Sequence, residues 1–420
     1  MTTAPAPTPA ATGPLKGIRV LDLTSVVLGP LATQTLADFG ADVIKIEPPE
    51  GDLMRANGVA LHPGMGSIFL AINRNKRSVC LDLKTAPGRA ALDALIPGAD
   101  VLVHNMRLPA ARKLGLDYAR VASLRPDIVY CAALGFGQDG PHSGKPAFDD
   151  IIQAGCGLLG LSLGSPGAQP GYVPSLIADK TCALAVCNAI MAALLHRAAS
   201  GQGQYIEVPM LETMAAFVMA EHMGGLTFRG SQIKAGYHRL LHGGRQPAPT
   251  QDGWIAIMPY TGKHWRAFFD SVGRAELIQR YDVDDRHQLN AHVRELYAHL
   301  RAATRQKTTA QWMTLCEQLD IPATPIYLPD ELPTHPHLQA AGLFQDAQHP
   351  TEGPIRQLRP TTRFSATPAN IYRQAPATGQ HTHEVLRAAG LSEGQIARLG
   401  ESAATRGRKI FRTAADTRYG

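Results

Sequence analysis

The sequence predicts an α/β protein in which a large, Rossmann-like domain with a doubly wound, mostly parallel sheet is joined to a second, smaller α/β domain. Three observations carry that expectation. Short Val-, Ile- and Leu-rich runs alternate with helical stretches from residue 17 onward. The first strand–helix–strand triplet fits into about 30 residues, the span of a βαβ unit. At 420 residues the chain exceeds the roughly 250–300 at which a single core stops growing, so a second domain is expected.

The first strand is IRVLDL (18–23), followed by a helix from about Leu31 to Phe39 that Gly40 stops, and then the strand ADVIKIE (41–47). SVCLDL (78–83) is the third strand, and Pro87 opens a helix that runs to Ile96, because proline suits a first helical turn. The strand DVLVH (100–104), a helix near 118–124 and the strand IVYCAA (128–133) continue the alternation. Apolar runs of this length, covered by helices on both faces, imply a parallel sheet. A long apolar helix begins near Asp179, followed by the strand YIEVPM (205–210) and a helix to about Met223.

The alternation then weakens, and a second module starts at WIAIM (254–258), with helices near 262–272, 287–302 and 308–319 and a strand in PATPIYL (322–328). The tail carries one helix (381–390) and a basic run, RGRKIFR (406–412), read as a solvated surface. The chain thus divides into a flexible arm (1–16), a large domain (17–223), a linker (224–250), a small domain (251–330), a return linker (331–375) and a C-terminal segment (376–420) that packs on the large domain.

Composition narrows the function classes. With 45% hydrophobic and 18% charged residues, 40 Gly and 31 Pro, the chain reads as a soluble, loop-rich enzyme. A net charge of +6 favours anionic ligands, but no Lys/Arg block is interleaved with aromatics, which argues against nucleic acid. The six cysteines form no CxxC pair and lie mostly in apolar runs, which fits free thiols in a reducing cytoplasm. The N-terminus lacks the basic and apolar regions of a signal peptide. The apolar run 182–195 has 14 residues, short of the ~18 that a membrane span needs.

The first βα turn, TSVVLGP (24–30), lacks the GxGxxG of a dinucleotide site, which disfavours an oxidoreductase. There is no P-loop, nucleophile elbow or HExxH pair, and no metal site is expected. His142, in the turn GPHSGKP, reads as a surface loop residue. Asp179 remains: a lone acid at the mouth of the long helix, after the Gly/Pro-rich loop 157–174 that would bring backbone amides near it. Taken alone it reads as a helix cap or first-turn acid, because such acids complement the helix dipole.

A series of strings alters that balance: LADFGADVIKIEPPEGD, NRNKRSVCLDLKTAPGR, ADVLVHNMR, GFGQDGP, PAFDDIIQA and the loop with Asp179. In that order they resemble the family III CoA-transferases, the formyl-CoA transferase-like group that also contains α-methylacyl-CoA racemases. The resemblance is strong over about 14–215 and looser beyond, with GQHTHEVLRAAGLSEGQI a further match. It implies that Asp179 is a nucleophile, that coenzyme A and acyl-CoA are substrates with no tightly bound cofactor, and that two chains form an interlocked homodimer. CoA contacts are implied at Val26 and Val27, at Leu81, Asp82, Leu83 and Lys84, at Asn105, Met106 and Arg107, at Lys113, and at Lys145, Pro146, Ala147 and Phe148. Beside these stand plainer readings: Leu81 and Leu83 as core strand, the four cations as solvated surface.

A Gly-rich segment of the second domain is implied for the oxyanion, placed at His242, Gly243 and Gly244. Arg239, Arg245 and His242 suit the second carboxylate of a dicarboxylic substrate. Val27 stands where formyl-CoA transferases carry an amide, and Pro48 where an Arg often follows the acid of the second strand. The racemase branch needs a His paired with the Asp, since inversion requires an acid and a base on opposite faces. Phe148 occupies that position and cannot move a proton, so CoA transfer is the expected activity. Racemisation and non-catalytic CoA binding stand as alternatives, and Asp149 and Asp150 read as caps or first-turn acids.

Overall fold

The computed structural model describes residues 10–164, 169–241 and 244–404. The start of the arm, His242, Gly243 and the basic run 406–412 lie outside the described residues. The chain separates into two compact units, one formed by Met1–Cys156, Tyr172–Phe217 and Gln339–Gly420, the other by Gly157–Gly171 and Val218–Leu338.

The first unit is built on six strands: β1 (Arg19–Leu23), β2 (Asp42–Glu47), β3 (Lys76–Cys80), β4 (Val101–His104), β5 (Val129–Leu134) and β6 (Gln204–Pro209). Their spatial order is β3-β2-β1-β4-β5-β6 and every pairing is parallel. The strand order reverses between β1 and β4, so the turns leaving these two strands diverge and open a crevice at the carboxyl edge of the sheet.

Helices α1 (Leu28–Asp38), α2 (Ser67–Ile72), α3 (Ala86–Leu95), α4 (Leu108–Lys113), α5 (Tyr118–Leu124), α6 (Asp149–Gly155), α7 (Ile177–Ser200) and α8 (Met210–His222) complete the layers. On one face Leu21, Ile44, Val79, Leu102 and Tyr130 pack with Leu92, Leu95 and Val121. On the other, α7 lies against α1, β5 and β6, with Cys182, Ala183, Val186 and Ile190 buried.

Several boundaries differ from the sequence reading. Helix α1 starts at Leu28 rather than Leu31, because Pro30 falls in its first turn and leaves no N–H that the helix would have used. Strand β3 ends at Cys80, and Leu81–Lys84 turn away over the sheet edge, where the Asp82 carbonyl accepts from the Thr85 N–H at 3.0 Å. Helix α7 has 24 residues, not 14, and so meets the length and composition of a membrane span. One side of it packs against α1 and the sheet, while Leu184 and Leu195 are exposed.

In the second unit α9 (His238–Leu241) precedes a three-stranded antiparallel sheet of β7 (Ala248–Pro249), β8 (Trp254–Ile257) and β9 (Ala323–Pro325) in the order β7-β8-β9. Helices α10 (Gly262–Ser271), α11 (Glu276–Arg280), α12 (Arg286–Ala291), α13 (Val293–Thr304) and α14 (Thr309–Gln318) surround Trp265, Phe268, Phe269, Tyr297 and Trp312. The helix read at 287–302 is two helices, α12 and α13, that meet at His292. Thr308 and Gln311 form a capping box on α14.

The stretch read as a return linker contains α15 (Pro336–Ala340) and a hairpin, β10 (Phe344–His349) with β11 (Gly353–Leu358). The tail holds two helices, α16 (Thr382–Ala388) and α17 (Glu393–Ala404). Val385, Leu386, Ile396 and Leu399 join the core beside β3 and α3.

Candidate active site

Two clefts open along the carboxyl edge of the six-stranded sheet. The first, about 380 Å³, lies over β1, β2 and β3 and is lined by Leu23, Ile46, Pro48, Leu53, Leu81–Lys84, Met106 and Leu114. The second, about 370 Å³, lies over β1, β4 and β5, with Val26, Asn105–Leu108, Ala133–Phe136, Lys145–Phe148 and Asp179 around it. Ser25, Leu53 and Met106 line both, so the clefts adjoin at the switch point.

Most of the expected contacts therefore come together. Leu81, Asp82, Leu83 and Lys84 edge the first cleft; Val26, Asn105, Arg107, Lys145, Pro146, Ala147 and Phe148 edge the second; Met106 faces both. Two do not belong to either. Val27, the residue just before α1, is buried in a separate cavity with Leu31, Gln34 and Asp38, because it points under the helix. Lys113 is exposed in the last turn of α4, whose neighbours Ala110 and Leu114 face the clefts instead.

Asp179 is only 7% exposed, in the first turn of α7. It does not cap that helix: the residue before the helix is Leu176, and no side-chain cap bond is made there. The capping is done from α6, where Asp149 accepts the Asp179 backbone N–H at 2.9 Å and Gln153 Nε2 at 2.6 Å. Gln153 in turn accepts the Val173 N–H at 3.0 Å, which ties down the segment entering α7.

No side-chain hydrogen bond or ion pair neutralises the Asp179 carboxylate among the described residues. Burial, reinforced by the charges of Asp149 and Asp150, pushes it up to about 7. A reaction that uses the Asp179 carboxylate requires its ionised form, so activity through it is expected to rise with pH past that value. Asp149→Asn removes the larger of the two charge effects and moves the acid limb of the kcat/KM profile to lower pH; Asp150→Asn, at an exposed position, moves it less. A limb that stays in place in Asp149→Asn shows that a group other than Asp179 controls it.

The turn that divides the clefts is strained. Val26 has φ +71°, a conformation a β-branched residue rarely adopts. Its N–H donates to Asp52 Oδ1 at 3.2 Å. Asp52 also accepts from Lys45 Nζ at 2.8 Å, and Lys45 donates to the Thr24 carbonyl at 2.9 Å. Beneath lies a second buried pair, Lys76 with Asp22 at 3.0 Å. Burial alone would raise the Asp22 carboxyl, yet Lys76, Lys45 and the Thr24 and Thr33 hydroxyls hold it well below the usual range. The sequence reading missed Lys45 and Asp52, although a lysine inside the apolar run VIKIE signals a buried charge that needs a partner.

The loop after β5 carries the string GFGQDGP (135–141). Its amides are committed to carboxylates: Gly137 N–H to Glu212 and Gln138 N–H to Glu207, each at 2.9 Å. A Cβ at Gly137 would sit 2.3 Å from Glu212 Oε1, so a larger residue here would displace that carboxylate from the Gly137 amide. Within the Gly/Pro-rich loop 157–174, Leu159–Gly164 form a short 3-10 helix. Gly244 lies in the second unit, with φ +64° and its carbonyl accepting from Arg301.

A doubly wound sheet with a two-part cleft across its switch point, ending at a buried and unneutralised carboxylate, defines a Rossmann-like α/β enzyme that takes a long ligand. Residues 15–382 match CoA-transferase family III, and the chain belongs to that family. It is 33% identical to a succinate–glutarate CoA-transferase of Agrobacterium fabrum, over 89% of this chain and 95% of that one. It is 30% identical to the succinyl-CoA:glutarate CoA-transferase of Homo sapiens, over 89% and 85%. The crystal structure of a CAIB/BAIF family protein from Brucella suis superposes with a TM-score of 0.77 at 29% identity, covering 90% of this chain and all of the other.

Proposed function

We propose that the protein moves CoA from an acyl-CoA thioester to a free carboxylic acid through Asp179. The observation that carries this reading is the placement of Asp179: buried, raised to about 7, and at the wall of the second cleft beside Phe148. A carboxylate held up in this way is more nucleophilic once ionised than one at its ordinary value.

The Asp179 carboxylate attacks the thioester carbonyl, the C–S bond breaks, and a mixed anhydride and CoA thiolate result. The thiolate attacks the aspartyl carbonyl, expelling the first carboxylate and leaving CoA on Asp179. The acceptor carboxylate attacks that thioester, releasing the thiolate again. Attack of the thiolate on the acceptor's acyl carbon yields the new acyl-CoA and regenerates Asp179. Both covalent intermediates hydrolyse readily, and burial of Asp179 protects them from water.

CoA suits the paired clefts: pantetheine along the second and the nucleotide toward the first, with Lys84, Arg107 and Lys145 available to its phosphates. A dicarboxylic acceptor is the substrate class most in keeping with the relatives. The working form is an interlocked homodimer, for which light scattering should give twice the chain mass, in the cytoplasm. Incubation with succinyl-CoA followed by hydroxylamine should convert Asp179 to its hydroxamate, read by peptide mass. Labelling at any other residue overturns the mechanism.

Phe148, 61% exposed at the start of α6, supplies no proton to a substrate α-carbon. Incubation of 2-methylacyl-CoA in deuterium oxide is therefore expected to give no label at the α-position. Wash-in at a rate comparable to turnover would favour the racemase instead.

A further inference from the structure

The second unit contains a cavity of about 220 Å³ whose walls include Arg239, Tyr260, Gly262, Arg286 and Asn290. Arg239 is 9% exposed, and its Nε is buried without an acceptor. Among the described residues it forms no ion pair; its guanidinium lies over the Tyr260 ring at 5.2 Å. A guanidinium removed from water with no counter-charge is costly, and an anion entering beside it recovers the lost interaction.

The rest of the wall agrees with that polarity. The cavity meets the N-terminus of α10, a ten-residue helix whose Thr261 cap uses its hydroxyl on the His264 N–H. The first-turn N–H groups of Gly262 and Lys263 have no partner within the helix and point outward from its positive end. A Cβ at Gly262 would fall 2.5 Å from the Val283 carbonyl, so the start of α10 packs closely against the Val283–Asp284 backbone here. The acid that lines the cavity, Asp284, is engaged by Arg266. Arg245 adds positive charge in the same unit: its Nε is also buried without an acceptor, and together with Arg239 it acts on the phenol of Tyr297.

We propose that this cavity binds the carboxylate of a small organic acid, held by Arg239 and Arg286 at the N-terminus of α10. The volume admits a carboxylate with a short chain and excludes a nucleotide. Two acids can supply that carboxylate: one that is also a CoA acceptor, which rests on the transfer reading above, and one that acts as an effector.

Glutarate titrated into the full chain without CoA, followed by calorimetry, tests the site. Binding is expected in the parent and to weaken tenfold or more in Arg239→Gln. Arg286→Gln, at an exposed position with no packing to lose, should weaken it about threefold, and Arg239→Lys should fall between. Equal affinity in the parent and in both Gln variants overturns the proposal, as does absence of binding in the parent. The kinetic arm separates the sources. A kcat/KM that falls more for glutarate than for butyrate as acceptor assigns the carboxylate to the substrate; an equal fall for both, with glutarate binding lost, assigns it to an effector. Failure of all CoA transfer in the parent would remove the transfer reading while leaving the binding result to stand.

Discussion

Asp179→Asn is expected to lower CoA transfer by at least ~10³-fold, because the amide cannot form the anhydride that opens the covalent route. The same substitution should stabilise the fold, and its pH dependence identifies the cause. The folded-state carboxyl stands at about 7 against an ordinary 3.8. Between these values the unfolded chain has released the proton that the folded chain still holds, so the contribution of Asp179 to stability falls as pH rises through this window. Above it the full penalty of a buried carboxylate is present, on the order of 4 kcal/mol. Thermal unfolding of Asp179→Asn should therefore match the parent near pH 4 and exceed it by several degrees at pH 8. An inactive variant that is also less stable at pH 8 would mean that Asp179 is held by favourable contacts and serves the fold instead.

The parallel sheet was legible because its strands are short apolar runs separated by helices, a pattern set by burial on both faces. Asp179 was legible only through the strings around it, since a single acid near a helix start reads as a cap. The structure gives that role to Asp149, from a different helix, and sequence spacing carries no trace of a cap supplied across 30 residues. The same limit applies to Val26 and Asp52, which meet through a turn whose left-handed residue is a valine, the opposite of what backbone preference predicts. The hairpin at 344–358 escaped notice because its outward faces are polar and its strands lack the long apolar runs of the central sheet. Val27 and Lys113 were placed in the clefts by position in the chain, while the direction of each side chain depends on the helix that follows Val27 and the one that holds Lys113.

Asp52→Ala is expected to have the second largest effect, because one carboxylate serves two needs. It neutralises Lys45, which is 0% exposed, and it receives the N–H of Val26 in the strained turn between the clefts. Removing it leaves a buried ammonium with the Thr24 carbonyl as its remaining hydrogen-bond acceptor and Asp22 and Glu47 as its remaining counter-charges, so the loss lies at the low end of a broken buried pair, on the order of 3 kcal/mol. It also frees Val26 to relax toward an ordinary backbone conformation, which displaces Ser25 and Val26 from the junction of the two clefts. The KM for the acyl-CoA donor should rise about tenfold at a temperature where the variant is still folded, with kcat changing less, because Asp179 is carried by α7 and not by this turn. Asp52→Asn keeps an acceptor for the Val26 N–H while discarding the charge, so it should lose stability yet retain more of the donor affinity. Equal donor KM in parent and Asp52→Ala would show that the strained turn is shaped by Asp52 without governing how CoA is held.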